Sequence, residues 1–279
     1  MKIVNSKLSA DRPPLDAKAS SGGSAAHEAA SVGETAFWPY PRWIAHRGAG
    51  KLAPENTLAA FQFGATFGYR MFECDVKLSM DGIPFLLHDD TLDRTTNGHG
   101  IAAKWPWSEL SQLDAGHWHS GAYAGEPLPT LANITQWCLK NGYFLNIEIK
   151  PTPGQEAETG KVVAEHTARL WKDADIPPLL SSFRPESLET AQAAAPHLPR
   201  GLLLDTLWKG WLETALVLDC TAIICNYQLW DISSVTQAKS AGFKCLSYTV
   251  NDESVAHRLL DLGTDGIITD RVDVFSPKT

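Results

Sequence analysis

Short apolar, β-prone runs recur along the chain from Phe37 onward. They fall at Trp43–His46, Phe72–Val76, Phe144–Ile149, Leu179–Phe183, Gly201–Leu204, Ala222–Cys225, Lys244–Val250 and Gly266–Thr269. Stretches of helical character separate most of them: Thr57–Phe67, Leu131–Lys140, Glu158–Trp171, Pro185–Ala194, Ser233–Ala241 and Glu253–Leu262. Gly68, Gly142, Gly242 and Gly263 stand where a left-handed residue ends a helix. Eight strands alternating with helices over roughly 240 residues predict an α/β fold, a (β/α)8 TIM barrel. A doubly wound open sheet is the alternative, because spacing alone does not show closure.

Two regions break the alternation. Ser79-Met80-Asp81-Gly82 reads as a hairpin turn, which makes Phe85–Leu87 an extra strand. Residues from about 89 to 129 then carry turn residues and aromatics (Trp105, Trp107, Trp118, Tyr123) without a clear period. They are read as an insertion after strand 2. Loops at the carboxyl ends of barrel strands build active sites, so this insertion is expected to form one wall of the pocket. Residues 1–36 are rich in Ala and Ser and poor in large apolar side chains, and are expected to be a disordered tail ahead of a catalytic domain at 37–279. The tail has no apolar core of the kind a secretory signal needs.

Composition narrows the function. The chain has 279 residues, 44% of them hydrophobic and 20% charged, the profile of a water-soluble globular protein. No apolar run reaches membrane-span length, so no stable membrane association is expected. A net charge of -8 without a basic stripe argues against nucleic acid as a partner. An anionic substrate therefore needs a local positive site. Five cysteines without C-x-x-C spacing fit reduced thiols in the cytoplasm better than disulfides or structural zinc.

The chemistry centres on Phe72-Glu73-Cys74-Asp75-Val76. Strand alternation puts Glu73 and Asp75 on one face and Cys74 and Val76 on the other, against helices. Two like charges on one buried face cost several kcal/mol unless a cation lies between them, and a hard divalent ion is the simplest remedy. In Leu145-Asn146-Ile147-Glu148-Ile149-Lys150 the same alternation turns Asn146, Glu148 and Lys150 into the barrel. Strand 1 ends in His46-Arg47-Gly48, and the extra hairpin ends in His88-Asp89-Asp90. Arg47 suits a bidentate grip on phosphate, Lys150 offsets residual negative charge, and two histidines can share acid and base roles. This set fits metal-assisted phosphodiester cleavage. Hydride transfer lacks its G-x-G-x-x-G, and Gly48-Ala49-Gly50-Lys51 is not a P-loop, because Ala45 and Leu52 occupy its required positions.

In order and spacing, His46-Arg47-Gly48, Pro54-Glu55-Asn56-Thr57, Glu73-x-Asp75, His88-Asp89 and Glu148-Ile149-Lys150 resemble the motif series of the glycerophosphodiester phosphodiesterases. Thr249-Val250-Asn251 and Asp265-Gly266-Ile267-Ile268-Thr269-Asp270 resemble their C-terminal signature. The likeness spans Trp43 to Pro277 and is nearest the cytosolic bacterial UgpQ type. It implies a barrel that hydrolyses small glycerophosphodiesters to glycerol 3-phosphate and an alcohol. It implies Glu73, Asp75 and Glu148 as ligands of one divalent metal, Mg²⁺ before Ca²⁺ or Mn²⁺, and His46 and His88 as the acid–base pair. Tyr248 stands where the family often has Trp, and joins Arg47 and Lys150 as a substrate-contacting residue. A monomer or homodimer is expected. The competing readings are a phospholipase-type barrel acting on membrane lipid and a catalytically silent phosphodiester-binding barrel.

Other candidates have plainer readings. Asn56 or Thr57 is read as a helix cap. His117 and His119 are read as solvated loop residues, His166, His197 and His257 as surface residues, and Trp208 and Trp211 as packing residues. His27 lies in the tail.

Overall fold

A parallel strand leaves both edges in need of partners, and the sheet here satisfies them by closing on itself. The computed structural model describes residues 38–275 and 277; the disorder expected for 1–36 falls outside them. The strands are β1 (Trp43–Ala45), β2 (Met71–Leu78), β3 (Pro84–Leu86), β4 (Phe144–Ile149), β5 (Leu179–Ser182), β6 (Arg200–Leu204), β7 (Ala222–Asn226), β8 (Lys244–Tyr248) and β9 (Gly266–Thr269). All but β3 run parallel, and β1 pairs with both β2 and β9. That pairing makes an eight-stranded barrel and removes the open sheet from consideration. β3 is the expected hairpin strand, antiparallel to β2.

The helices are α1 (Leu58–Thr66), α2 (Trp107–Leu110), α3 (Leu131–Asn141), α4 (Glu156–Leu170), α5 (Pro185–Ala194), α6 (Trp211–Val217), α7 (Ile232–Ser240) and α8 (Glu253–Asp261). α6 had no counterpart in the sequence reading. It follows a glycine without a side-chain cap and leaves Leu216 and Val217 exposed, so its seven residues show neither a start signal nor a one-faced apolar period.

Alternation sorts the strand residues into two layers. Phe72, Cys74 and Val76 of β2 and Leu145, Ile147 and Ile149 of β4 join the core between barrel and helices. The opposite faces look inward, and each changes character along its length. Ile44, Met71, Phe144, Leu179, Leu203, Ile224, Leu246 and Ile268 make an apolar floor, with Tyr40 packed against it. Glu73, Asp75 and Glu148 follow further along β2 and β4, at the carboxyl ends. The polar set therefore stands on an apolar base.

The insertion largely minds its own packing. It contains α2 and two 3-10 turns, and Leu92, Ala102, Leu110, Ala115 and Leu128 bury themselves with Phe85 and Leu87. Of its residues only Asp90 lines the cleft described below, so the expected wall reduces to its first turn. Among the described residues no helix is long and apolar enough to cross a membrane.

Candidate active site

The β2–β4 register sets Asp75 opposite Glu148 and Glu73 opposite Asn146. Glu73, Asp75 and Glu148 each offer a carboxylate oxygen within 4.8 Å of the other two. Glu73 and Asp75 are almost fully buried, and Glu73 Oε1 has no hydrogen-bond partner. Burial and then repulsion from Asp75 push Glu148 up to about 7; burial, Asp75 and Glu148 raise Glu73 well above the carboxylate range. For Asp75 burial acts the same way, but Arg47, Lys150, His88 and a bond from Asn56 outweigh it and lower it to about 2. One ionised and two reluctant carboxylates, with an orphaned oxygen among them, form a hard-oxygen donor set that fits a divalent cation.

The loop after β1 supplies the cation that faces these acids. Arg47 donates its backbone N–H to Glu73 Oε2 (3.0 Å) and its Nη1 to Glu55 (2.8 Å), and its Nε lies 3.2 Å from Asp75 Oδ2. Two glycines allow that loop its path: a Cβ on Gly48 would meet Ala60 at 2.8 Å, and one on Gly50 would meet the Asp270 backbone at 2.2 Å. Thr57 caps α1, as expected of one of the two candidates. Asn56 does not cap. At φ 58°, its side chain donates to Asp75 Oδ2 (2.8 Å) and accepts from the Asp75 backbone N–H (3.1 Å).

Each histidine is held through Nδ1 by a carboxylate. His46 Nδ1 is 2.6 Å from Asp270, and its Nε2 is 3.8 Å from Glu73 Oε2. Asn251 fixes Asp270 in turn, donating Nδ2 to the carboxylate (2.9 Å) and accepting the Asp270 backbone N–H (2.9 Å). His88 Nδ1 is 2.7 Å from Asp89, and its Nε2 accepts from Lys150 Nζ at 2.9 Å. Lys150 also bonds Glu148 (3.1 Å), linking the second histidine to the acidic cluster.

These groups line a cleft with two lobes. The smaller, about 230 Å³, holds His46, Arg47, Glu73, His88, Glu148, Lys150 and Tyr248. The larger, about 450 Å³, shares Glu148, Lys150, Phe183 and Leu203 with it and extends to Asp90, Arg184, Asp205 and Trp208. The fold thus gathers the sequence candidates at one end of the barrel. Tyr248 spends its hydroxyl on the Leu204 carbonyl oxygen (2.9 Å) and meets Phe183 edge-on at 5.6 Å, so it presents a ring to the pocket. Trp211 is a core residue as read, but Trp208 is not: it is 37% exposed and borders the larger lobe. His197 and His257 are exposed, whereas His166 is half-buried. His117 is also exposed, but His119 Nε2 lies 3.0 Å from the Lys51 carbonyl oxygen and is not free in solvent.

Sequence reasoning gave no separate role to Asp270, Asn251, Lys77 or Arg94, and read Asn56 only as a cap candidate, not as a partner of Asp75. Lys77 had a legible signal, lying two residues beyond Asp75 on the inward face; it is 1% exposed and bonds Asp90 (2.7 Å) and the Lys150 carbonyl oxygen (3.2 Å). Asp270 and Asn251 belonged to the C-terminal signature without a role attached. Arg94 lies in the aperiodic insertion, where nothing marked it.

Comparison with known proteins points to one family. Residues 46–274 match the model of the glycerophosphoryl diester phosphodiesterase family. A glycerophosphodiester phosphodiesterase of Caldanaerobacter subterraneus is 36% identical over 232 residues, covering 81% of this chain and 93% of the relative. A Bacillus subtilis glycerophosphodiester phosphodiesterase is 28% identical, covering 83% and 84%. Among solved structures, an Oleispira antarctica phosphodiesterase in complex with the product sn-glycerol-3-phosphate superposes with a TM-score of 0.78 at 38% identity, covering 85% of this chain and 94% of that one. Matched over residues 46–274, from the histidine after β1 to the turn beyond β9, this chain belongs to the glycerophosphoryl diester phosphodiesterase family.

Proposed function

We propose that the protein hydrolyses small glycerophosphodiesters, such as glycerophosphocholine and glycerophosphoethanolamine, to sn-glycerol 3-phosphate and an alcohol in the cytoplasm. One observation carries the reading: three clustered carboxylates and two carboxylate-held histidines share a small pocket with Arg47 and Lys150. Glu73, Asp75 and Glu148 are the residues that hold a divalent ion. Mg²⁺ is the ion proposed, since three carboxylates fall short of the roughly six to eight oxygen ligands that Ca²⁺ would take. Such an ion supplies Lewis-acid stabilisation of charge on the phosphoryl group.

The remaining work falls to side chains. Arg47 and Lys150 bind the phosphate and stabilise charge as it builds in the transition state. Asp270 accepts the Nδ1 proton of His46, which leaves Nε2 free to take the proton of the attacking hydroxyl. That role is the same whether the neighbouring glycerol hydroxyl or water attacks. His88 gives its Nε2 proton to the departing alkoxide, once Lys150 has turned from it to the phosphate. Burial, with Arg47 and Lys150 opposing Asp75, keeps His88 below the ordinary 6.5. Its acid form is therefore the minor one near neutral pH, and it is a correspondingly strong acid.

The larger lobe receives the alcohol. Asp205 has no ion-pair partner among the described residues, and Trp208 borders the same lobe, a pairing that suits a cationic alcohol. The test is a coupled assay for glycerol 3-phosphate released from glycerophosphocholine and glycerophosphoethanolamine. Chelation with EDTA is expected to abolish release, and Mg²⁺ to restore it. Lysophosphatidylcholine micelles, supplied in parallel, are expected to be poor substrates. Full activity in thorough chelator would remove the metal from the reading, and preferential cleavage of the micellar lipid would favour the lipid-directed alternative.

A further inference from the structure

Arg94 touches neither lobe of the cleft, yet it joins the groups that hold two of the residues acting there. Its Nε and Nη2 donate to Asp89 at 2.7 and 2.9 Å, and its Nη1 and Nη2 donate to Glu55 at 2.8 and 2.7 Å. Asp89 ends on His88 Nδ1 at 2.7 Å, and Glu55 ends on Arg47 Nη1 at 2.8 Å. A continuous chain of charged groups thus runs from the second histidine, through an arginine of the insertion, to the phosphate-facing guanidinium. We propose that Arg94 is a positioning residue that sets the orientation of His88 and Arg47 together, so that proton transfer and phosphate binding are aligned by one clamp.

The geometry favours this over an ordinary surface ion pair. Exposed pairs are usually worth little because two flexible side chains must be ordered for a screened attraction. Here one planar group meets both carboxylates with paired, charge-assisted bonds, an arrangement only guanidinium can make. Removing it leaves Asp89 and Glu55 as neighbouring like charges, which repel and carry their partners with them. Arg47 is the more sensitive of the two. It sits at φ 50°, a left-handed conformation unfavourable for a side chain with a Cβ, so its place depends on the groups around it. The hydrogen bonds from Arg94 are also the largest influence holding the Asp89 carboxyl well below its usual range, which keeps it an acceptor for His88 Nδ1.

The proposal rests on the roles given above to His88 and Arg47, and the test separates the two levels. Arg94→Ala and Arg94→Lys are made in the full-length, Mg²⁺-loaded protein, alone and in His88→Ala and Arg47→Ala backgrounds. kcat/KM is measured on glycerophosphocholine, and Tm is measured throughout. Misplacement of about 1 Å at a reacting group costs on the order of 100-fold, so Arg94→Ala is expected to lose roughly 30- to 100-fold. Its side chain is 44% exposed, and Tm is expected to move by no more than about 2 °C. Lysine is expected to restore little, and added ethylguanidine to restore part of the activity through that exposed site. In each background the further loss from Arg94→Ala is expected to shrink, since one arm of the clamp then has nothing to orient. Activity within about 3-fold of the parent, full rescue by lysine, or undiminished losses in both backgrounds would overturn the positioning role. Near-parental activity of His88→Ala and Arg47→Ala themselves would overturn the underlying reading instead.

Discussion

Asn56 shows how one side chain can serve conformation and chemistry together. Asparagine is the residue other than glycine that best tolerates a left-handed backbone, and at φ 58° its amide clasps Asp75 from both sides. Two replacements separate those contributions. Asn56→Gly removes both side-chain bonds but relieves the backbone, whereas Asn56→Ala removes the bonds and adds a strained Cβ. Each is expected to weaken Mg²⁺ binding by roughly 10-fold or more, since partners that orient a metal ligand typically matter by 10- to 100-fold. Alanine is expected to be the less stable variant by about 1 kcal/mol. Isothermal titration with Mg²⁺ and thermal melts check the two effects separately; equal stability of both variants would show that the backbone there carries no strain. The sequence offered two cap candidates, and the capping role fell to Thr57. What went unseen was that the turn preceding α1 lies against β2, a contact that only the folded barrel brings about.

At the scale of elements, the parallel strands were legible because each carries its apolar side chains in one short run between turn residues. Their inward charges were legible for the same reason: a period of 2 in Glu73-x-Asp75 and in Asn146-x-Glu148-x-Lys150 has few structural explanations. Helix α6 and the insertion were not, since neither holds a period long enough to declare a face. The carboxylates behind the histidines differ in origin: Asp89 is the next residue along from His88, whereas Asp270 reaches His46 only because β9 pairs with β1 as the barrel closes. That placement is the ground for the proposed division of roles between the two histidines. His46 ends β1 on the metal-cluster side, whereas His88 ends the hairpin and meets Lys150 at the junction of the lobes. Replacing His88 is therefore expected to cripple hydrolysis of glycerophosphocholine but largely to spare a glycerol nitrophenyl phosphodiester, whose leaving group departs without a proton. Replacing His46 is expected to impair both. Values of kcat/KM for His46→Ala and His88→Ala on the two substrates decide it, and sparing of His46→Ala alone would reverse the assignment.

For the whole molecule, the acidic cluster makes stability, pH and metal a single linked problem. In the metal-free protein Glu148 is raised from 4.5 to about 7, and Glu73 is raised as well. Between those limits the folded protein holds more protons at these sites than the unfolded chain, so their contribution to stability falls as pH rises through that window. His88 acts in the opposite sense, because its pKa is lowered on folding and it favours the folded state as pH rises. Asp75 and Asp270, both near 2, matter only at lower pH; there each loses its stabilising contribution as pH drops toward its folded value. The cluster's share is thus best isolated by comparison with Glu148→Gln, which removes one of the raised groups while keeping the volume. Relative to that variant, the metal-free parent is expected to lose Tm between pH 5.5 and pH 8. Mg²⁺ must displace the retained protons, so its stabilising effect is expected to be small at pH 5.5 and to grow toward pH 8. At 100 times Kd a ligand stabilises by about 2.7 kcal/mol, which for a domain of this size is a rise of roughly 5–10 °C. Glu148→Gln is expected to show little of that rise at either pH. A Mg²⁺-induced shift equal at both pH values, or one preserved in the variant, would mean that the ion binds elsewhere.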